Sequence, residues 1–133
     1  MQDYNLTVYY EDTDAQGVVY YANYLKFFER ARTEFLRDAG YQQKQLMKEG
    51  IIFVVRSVEM TLHLPARLDD KVKVVTKLAR LGKVSFEFYQ KAFVESQLIT
   101  EAKIKCGSLD SISFKPSACL LYTSPSPRDF QVS

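Results

Sequence analysis

The sequence predicts an α+β domain in which one long helix packs against an antiparallel sheet of about five strands. Apolar residues recur at helical spacing between about residues 22 and 40. Apolar and polar residues alternate with a period of two once before this stretch and about four times after it. The length of 133 residues and the apolar content of 47% suit one globular domain.

The first strand is predicted from about Tyr4 to Glu11, because Leu6, Val8 and Tyr10 recur at every second position. Residues 12–17 follow as a turn that ends at a glycine.

The long helix is predicted from about Ala22. One apolar face recurs at spacings of three or four residues and comprises Tyr24, Phe28, Ala31 and Phe35. Gly40 is a natural C-cap, since glycine adopts the left-handed conformation without steric cost. A short second helix is predicted from about Gln42 to Lys48, ending at Gly50.

The remaining strands follow from alternation. The residues predicted to share one face of each strand are Val58, Met60, Leu62 and Leu64; Val72, Val74 and Leu78; Phe86 and Phe88; and Leu98, Ala102, Ile104 and Cys106. Breaks fall at Pro65, at Leu81-Gly82 and at residues 95–97. No internal repeat and no second domain are visible.

The charge distribution and the apolar runs exclude several classes of function. A formal charge of +2 with scattered cations gives no nucleic-acid footprint. No apolar run approaches the roughly 20 residues that span a bilayer, and no signal peptide is visible at the N-terminus. Cys106 and Cys119 are too few for a disulfide framework, so we expect a protein of the reducing cytoplasm.

Asp14 is the main candidate for chemistry. It stands on the turn before the helix, where backbone N–H groups carry partial positive charge and can hold a developing oxyanion. A carboxylate there can attack a carbonyl or deprotonate a water, and Gly17 allows a close approach of the chain. The alternative is that Asp14 is only a turn residue or helix cap.

The same turn imitates the start of a calcium-binding loop. Residues 12–17 fit the first half of the pattern, but Asn23 stands at the twelfth position, where a bidentate glutamate is required. With a single histidine, His63, on a polar strand face, we expect no metal site.

Four segments carry a resemblance to a known family. Residues 9–24 read much like Tyr-Tyr-Glu-Asp-Thr-Asp-x-x-Gly-Val-Val-Tyr, and the likeness continues through residues 28–34, 65–70 and 114–116. Over about residues 4–118 the chain resembles the 4-hydroxybenzoyl-CoA thioesterase family of hotdog-fold enzymes. Within that family it is most similar to the Tol-Pal-associated (YbgC-type) acyl-CoA thioesterases.

The resemblance implies hydrolysis of short-chain or aromatic acyl-CoA thioesters to free acid and CoA, without a cofactor. Asp14 would be the nucleophile or general base, with Val18 beside the substrate and the backbone N–H near Tyr21 as oxyanion donor. Tyr10 would orient Asp14 by a hydrogen bond from the first strand. Tyr21 departs from the branch, which typically has histidine at this place. Simple packing at a subunit interface is the alternative for Tyr21, and for Tyr10 a core or interface role.

The resemblance also implies a nucleotide site and an assembly. Arg80, Lys83 and Ser85 resemble the segment that holds the CoA phosphates, although an ordinary hairpin with solvated charges would look the same. We expect a homodimer or a tetramer of dimers with active sites between subunits. The alternatives are a thioesterase acting on acyl carrier protein, and a catalytically weak acyl-binding or scaffolding subunit.

The end of the chain differs in character from the rest. Residues 119–129 resemble the translation of a transposase adapter used in sequencing libraries. We therefore expect a hotdog domain over residues 1–118 and a non-native tail over residues 119–133, with Cys119 as part of the tail. The alternative is a genuine Ser/Pro-rich tail.

Overall fold

The computed structural model describes residues 2–118, so the proposed tail at 119–133 lies outside the described residues. The elements, in chain order, are β1 (Gln2–Thr7), α1 (Asn23–Asp38), α2 (Gln43–Lys48), β2 (Ile51–Leu62), β3 (Lys71–Leu81), β4 (Ser85–Val94) and β5 (Gln97–Asp110).

The five strands form one antiparallel sheet in the order β1-β3-β4-β5-β2. The α+β prediction of one long helix against about five strands is therefore confirmed. The short β1 and the long β2 are the two edge strands. Within residues 2–118, no helix is long and apolar enough to span a bilayer.

One face of α1 packs on the sheet and forms the core. The buried residues of the helix are Tyr24, Phe27, Phe28, Ala31, Phe35 and Leu36. Phe88 is central to the strand side, with its ring edge-on to Phe35 at 5.6 Å and to Phe86 at 5.7 Å between centroids. The helical face predicted from the sequence is thus the face that faces the core.

Helix α1 is terminated by a glycine. Gly40 has a φ of +96°, and its N–H donates to the carbonyl of Arg37 at 3.0 Å. The next N–H, that of Tyr41, donates to the carbonyl of Leu36 at 2.8 Å. This pair of bonds is a Schellman motif, which satisfies two of the last carbonyls of the helix.

The first strand is shorter than predicted. β1 ends at Thr7, and Tyr10 lies in a single 3-10 turn, Tyr10–Asp12, rather than on the strand. The carboxylate of Asp12 accepts a hydrogen bond from the Tyr9 N–H at 2.8 Å. Because this N–H is bound locally, it cannot donate to a neighbouring strand, as it would if β1 continued.

The apolar positions of β2 do not form a buried face. Met60 packs against the core, but Val58 is 40% and Leu62 51% exposed. The reason is the sheet order, which places β2 at the edge, where it pairs with β5 alone among the described strands.

Candidate active site

A small hairpin before α1 holds the candidate catalytic residues. The N–H of Tyr20 donates to the carbonyl of Asp12 at 3.0 Å, and the N–H of Asp14 donates to the carbonyl of Val18 at 2.9 Å. Between these bonds Thr13 bridges Val19. The predicted turn over residues 12–17 is thus the tip of a paired structure.

Asp14 uses one carboxylate oxygen to stabilise this tip. Its Oδ1 accepts the N–H of Gln16 at 2.8 Å, and its carbonyl accepts the N–H of Gly17 at 3.0 Å. Gly17 has a φ of +79°, which explains the glycine. Among residues 2–118, no group donates a hydrogen bond to Oδ2 of Asp14. The half-buried carboxylate therefore caps the turn and keeps one oxygen available.

The hairpin is anchored to the body of the protein on its other side. The N–H of Val19 donates to the carbonyl of Ala66 at 2.8 Å, and Val18 bridges Arg67. The hydroxyl of Tyr24, in the first turn of α1, accepts the N–H of Ala66 at 3.2 Å. Because Val19 and Ala66 are buried, the position of Asp14 is fixed relative to the start of the helix.

The segment between the hairpin and α1 offers two unused donors. Within the described chain, the backbone N–H groups of Tyr21 and Ala22 donate no hydrogen bond. The N–H of Asn23, one residue later, is already bound to the carbonyl of Tyr20 at 2.8 Å. No side chain caps this end of α1, so its positive pole stays available to an anion.

The side chain of Tyr21 does not close the site within one subunit. It is 56% exposed and lies 4.9 Å from the ring of Tyr20, centroid to centroid. Of Tyr21, only the backbone N–H is placed for the predicted role of oxyanion donor.

Tyr10 does not lie where the sequence predicted. It is 83% exposed in the 3-10 turn, and its hydroxyl donates no hydrogen bond to Asp14 within the described subunit. The prediction that it lies on the first strand is wrong, because that strand ends at Thr7. Its role toward Asp14 stays a prediction.

Arg80 and Ser85 lie together on the face of the sheet that points away from α1. They line a groove of about 340 Å³ that also contains Arg56, Lys105 and Glu87. Lys83 is exposed in the turn between β3 and β4 and is not among the residues that line the groove. The turn itself is closed by the N–H of Gly82, which donates to the carbonyl of Ser85 at 2.7 Å.

Sequence reasoning missed Arg56 and Lys105. Lys105 pairs with Glu87 on one side and with Ser57 on the other, so strand register brings it to the groove. Arg56 stands at the β-bulge of β2. No local motif marks either residue; only the order of the strands could have found them.

His63 contacts the carboxylate of Glu101, with 2.7 Å between Nε2 and Oε2, on the exposed surface. The described residues contain no group of three or more His, Cys, Asp or Glu side chains that could hold a metal ion.

Comparison with known proteins places the chain in a family. The family model described as the thioesterase-like superfamily matches residues 8–119. The chain is 44% identical over 112 residues to the acyl-CoA thioester hydrolase YbgC of Escherichia coli O6:H1, covering 84% of each chain. It is 40% identical over 112 residues to the acyl-CoA thioesterase YbgC of Haemophilus influenzae, covering 84% of this chain and 82% of the relative.

A solved structure supports the same family as these two relatives. The probable thioesterase from Bartonella henselae superposes with a TM-score of 0.84 at 36% identity, covering 88% of this chain and 97% of the other. The resemblance read from the sequence is thereby confirmed. The chain belongs to the thioesterase-like superfamily and is a thioester hydrolase of the YbgC type.

Proposed function

We propose that the protein hydrolyses short-chain or aromatic acyl-CoA thioesters to the free acid and CoA. One observation carries this proposal: Asp14, with one unbound carboxylate oxygen, shares a short segment with the two unused N–H groups of Tyr21 and Ala22. The names of the relatives, which act on acyl-CoA, support the choice of substrate.

The reaction uses the carboxylate of Asp14 and the backbone N–H of Tyr21. Asp14 either attacks the thioester carbonyl, so that the C–S bond breaks, CoA leaves as the thiolate and water then hydrolyses the anhydride, or it takes a proton from a water that attacks the carbonyl itself, after which the C–S bond breaks and the thiolate accepts a proton. The carbonyl oxygen gains negative charge, and the N–H of Tyr21 at the positive end of α1 stabilises it. Gly17 lets the backbone approach the substrate, and Val18 supplies an apolar contact beside it.

The groove at Arg80 and Ser85 would hold the nucleotide end of CoA. Three cations, Arg56, Arg80 and Lys105, line the groove together with Ser57 and Ser85, and guanidinium groups bind phosphate oxygens in pairs. Lys83 adds a fourth positive charge on the adjoining turn. Glu87 in the same groove lowers its net positive charge, which weakens general electrostatic attraction. We therefore expect the arginines to bind the phosphates through direct hydrogen bonds.

We further propose that the active unit is a homodimer, or a tetramer of such dimers, joined through β2. Val58 and Leu62 are exposed on an edge strand whose outer hydrogen-bonding groups have no strand partner in the described subunit. Two copies of one edge strand that are related by a two-fold axis perpendicular to the strands pair antiparallel. The Leu62 end of one copy, which leads to Ala66 and the Asp14 hairpin, then lies beside Phe53 of the other.

A thioesterase acting on acyl carrier protein is the second candidate. The register places a cation-rich face on the side of the sheet away from α1, with Lys77, Arg80, Lys91, Lys103 and Lys105 against Glu59, Glu87 and Glu101. Such a face suits an acidic carrier protein. Offering one acyl group on CoA and on carrier protein separates the two candidates, because the two values of kcat/KM show directly which carrier the enzyme prefers.

Free-thiol release from a panel of acyl-CoA thioesters tests the proposed function. We expect turnover of CoA thioesters and a lower kcat/KM for the same acyl groups on pantetheine, which lacks the nucleotide. A folded protein that releases no thiol from any member would contradict the proposal and favour the acyl-binding or scaffolding role.

A further inference from the structure

We propose that Arg32 sets the acyl preference of the enzyme, by selecting short acyl groups that carry an oxygen acceptor at their far end. This inference rests on the proposed thioesterase function and names its substrate class.

The acyl site would be a cavity of about 150 Å³ between α1 and the strands β2, β4 and β5. Its apolar walls are Leu36, Phe53, Val54, Val55, Phe86 and Phe88. Cavities of roughly 150 Å³ in other proteins hold a molecule of the size of benzene. The cavity therefore suits a short acyl group.

Three other residues line this cavity, namely Glu29, Arg32 and Cys106. Burial lowers the pKa of the Arg32 guanidinium, because desolvation disfavours the charged form, and Cys106 and Glu29 nearby offset part of this effect. The cavity thus presents a partly desolvated guanidinium among apolar side chains.

The position of Arg32 is held by a buried amide. Its Nη1 donates to Oε1 of Gln90 at 2.9 Å. The Nε2 of Gln90 donates to the carbonyl of Phe28 and to the hydroxyl of Thr76, both at 2.9 Å. Because these bonds fix the amide, its oxygen can only face Arg32, and the guanidinium is held at the cavity wall.

Most donors of Arg32 remain for a ligand. A guanidinium carries five N–H donors, and within residues 2–118 Arg32 makes one hydrogen bond and no ion pair. Glu29 lies near the guanidinium but forms no ion pair with it among the described residues, and its Oε2 accepts the hydroxyl of Thr33 at 3.2 Å. An oxygen acceptor on the substrate would accept hydrogen bonds from the remaining N–H groups of Arg32. An alkyl end would instead leave these donors desolvated and without a partner.

The proposed β2 pairing brings the acyl group to this cavity. Phe53, Val54 and Val55 line it and belong to the end of β2 that lies beside the partner's Asp14 hairpin in the antiparallel dimer. The thioester carbonyl would sit at the hairpin of one subunit, and the acyl end would enter the cavity of the other.

The test compares matched substrates by kcat/KM: 4-hydroxybutyryl-CoA against pentanoyl-CoA, and succinyl-CoA against 4-methylpentanoyl-CoA. We expect at least one oxygenated member to exceed its alkyl match by roughly tenfold. The hydroxyl and carboxylate pairs show whether a neutral or an anionic acceptor is preferred. In Arg32→Met the ratio should fall to near one, while Arg30→Met, on the exposed side of α1, should keep the wild-type ratio.

Arg32→Lys guards against a folding defect in Arg32→Met, because it keeps the charge and the stem but loses the planar donors; thermal unfolding checks both variants. A reduced ratio in Arg32→Lys also supports the proposal. Equal rates within both wild-type pairs, or a preference that survives in the folded Arg32 variants, would overturn this inference alone. Turnover of no thioester by the wild type would overturn the proposed function and this inference together.

Discussion

Asp14 shows how one side chain can be both a turn residue and a catalytic candidate. The sequence offered these roles as alternatives, but the structure leaves room for both. Oδ1 caps the N–H of Gln16, and Oδ2, which accepts no hydrogen bond within residues 2–118, is the atom for the proposed catalytic role. Local sequence could predict the turn, because aspartate and glycine at this spacing favour one. The unused N–H groups of Tyr21 and Ala22 could not be predicted without the hydrogen-bond pattern around them.

Asp110 gives a prediction about pH. Its Oδ1 accepts the N–H groups of Ser113 and Ile112, both at 2.9 Å, and these bonds hold the pKa of its carboxyl below the ordinary value of 3.8. Since the folded-state pKa is depressed, the stabilisation is present above the unfolded-state pKa and is lost as the pH falls through the folded-state pKa.

We therefore expect Asp110→Ala to lower the Tm at about pH 7, and the difference from wild type to shrink below about pH 4, near the ordinary aspartate pKa. Asp110→Asn is the control, because an amide oxygen accepts the same bonds without titrating. Thermal unfolding by circular dichroism across this range measures the difference. A gap that stays constant into the acid range would contradict the assigned bonds.

The helix and the strands differ in how well the sequence predicted them. α1 was predictable, since its apolar stripe and Gly40 both mark it locally. The alternation at Tyr10 was misleading, because the Asp12 carboxylate captures the Tyr9 N–H and ends the strand early. The exposure of Val58 could not be predicted, since alternation gives a face but not the position of a strand in the sheet.

Gly40→Ala tests the end of α1. A Cβ at this position would meet nothing within 4 Å, so the cost is that of the backbone conformation at a φ of +96°. We expect the free energy of unfolding to fall by about 1 kcal/mol, measured by denaturant titration. Gly40→Asn should lose less, because asparagine tolerates positive φ better than alanine. Equal stability of the wild type and the Gly40→Ala variant would show that the Schellman motif does not form.

The proposed dimer accounts for features that one subunit leaves unused. The exposed apolar side chains of β2, its free edge and the cavity beside Phe53 all lie along one strand. Of the candidate site, sequence reasoning predicted Asp14, Arg80 and Ser85, which stand in recognisable local segments. It missed the residues that only strand register or helix packing brings to a cavity, namely Arg56, Lys105 and Arg32.

A charge on the free edge should weaken the assembly. Val58→Lys places a cation among apolar side chains that the proposed dimer would bury, so we expect the subunits to separate at concentrations where the wild type is dimeric or tetrameric. Sedimentation velocity measures this, with Ile112→Lys as the control at an apolar residue that is 90% exposed and lies outside β2. A monomeric wild type, or an assembly that Val58→Lys leaves intact, would contradict pairing through β2.

The catalytic role of Asp14 is the central claim, and the most direct test is thiol release from the preferred acyl-CoA by Asp14→Asn. Asparagine keeps the oxygen that caps Gln16, so the Tm should stay close to that of the wild type. It removes the carboxylate, so kcat should fall by at least about 100-fold, the lower range for loss of an acid–base group. Asp38→Asn, at the exposed end of α1, should keep wild-type turnover. A folded Asp14→Asn protein with wild-type kcat would show that Asp14 only caps its turn.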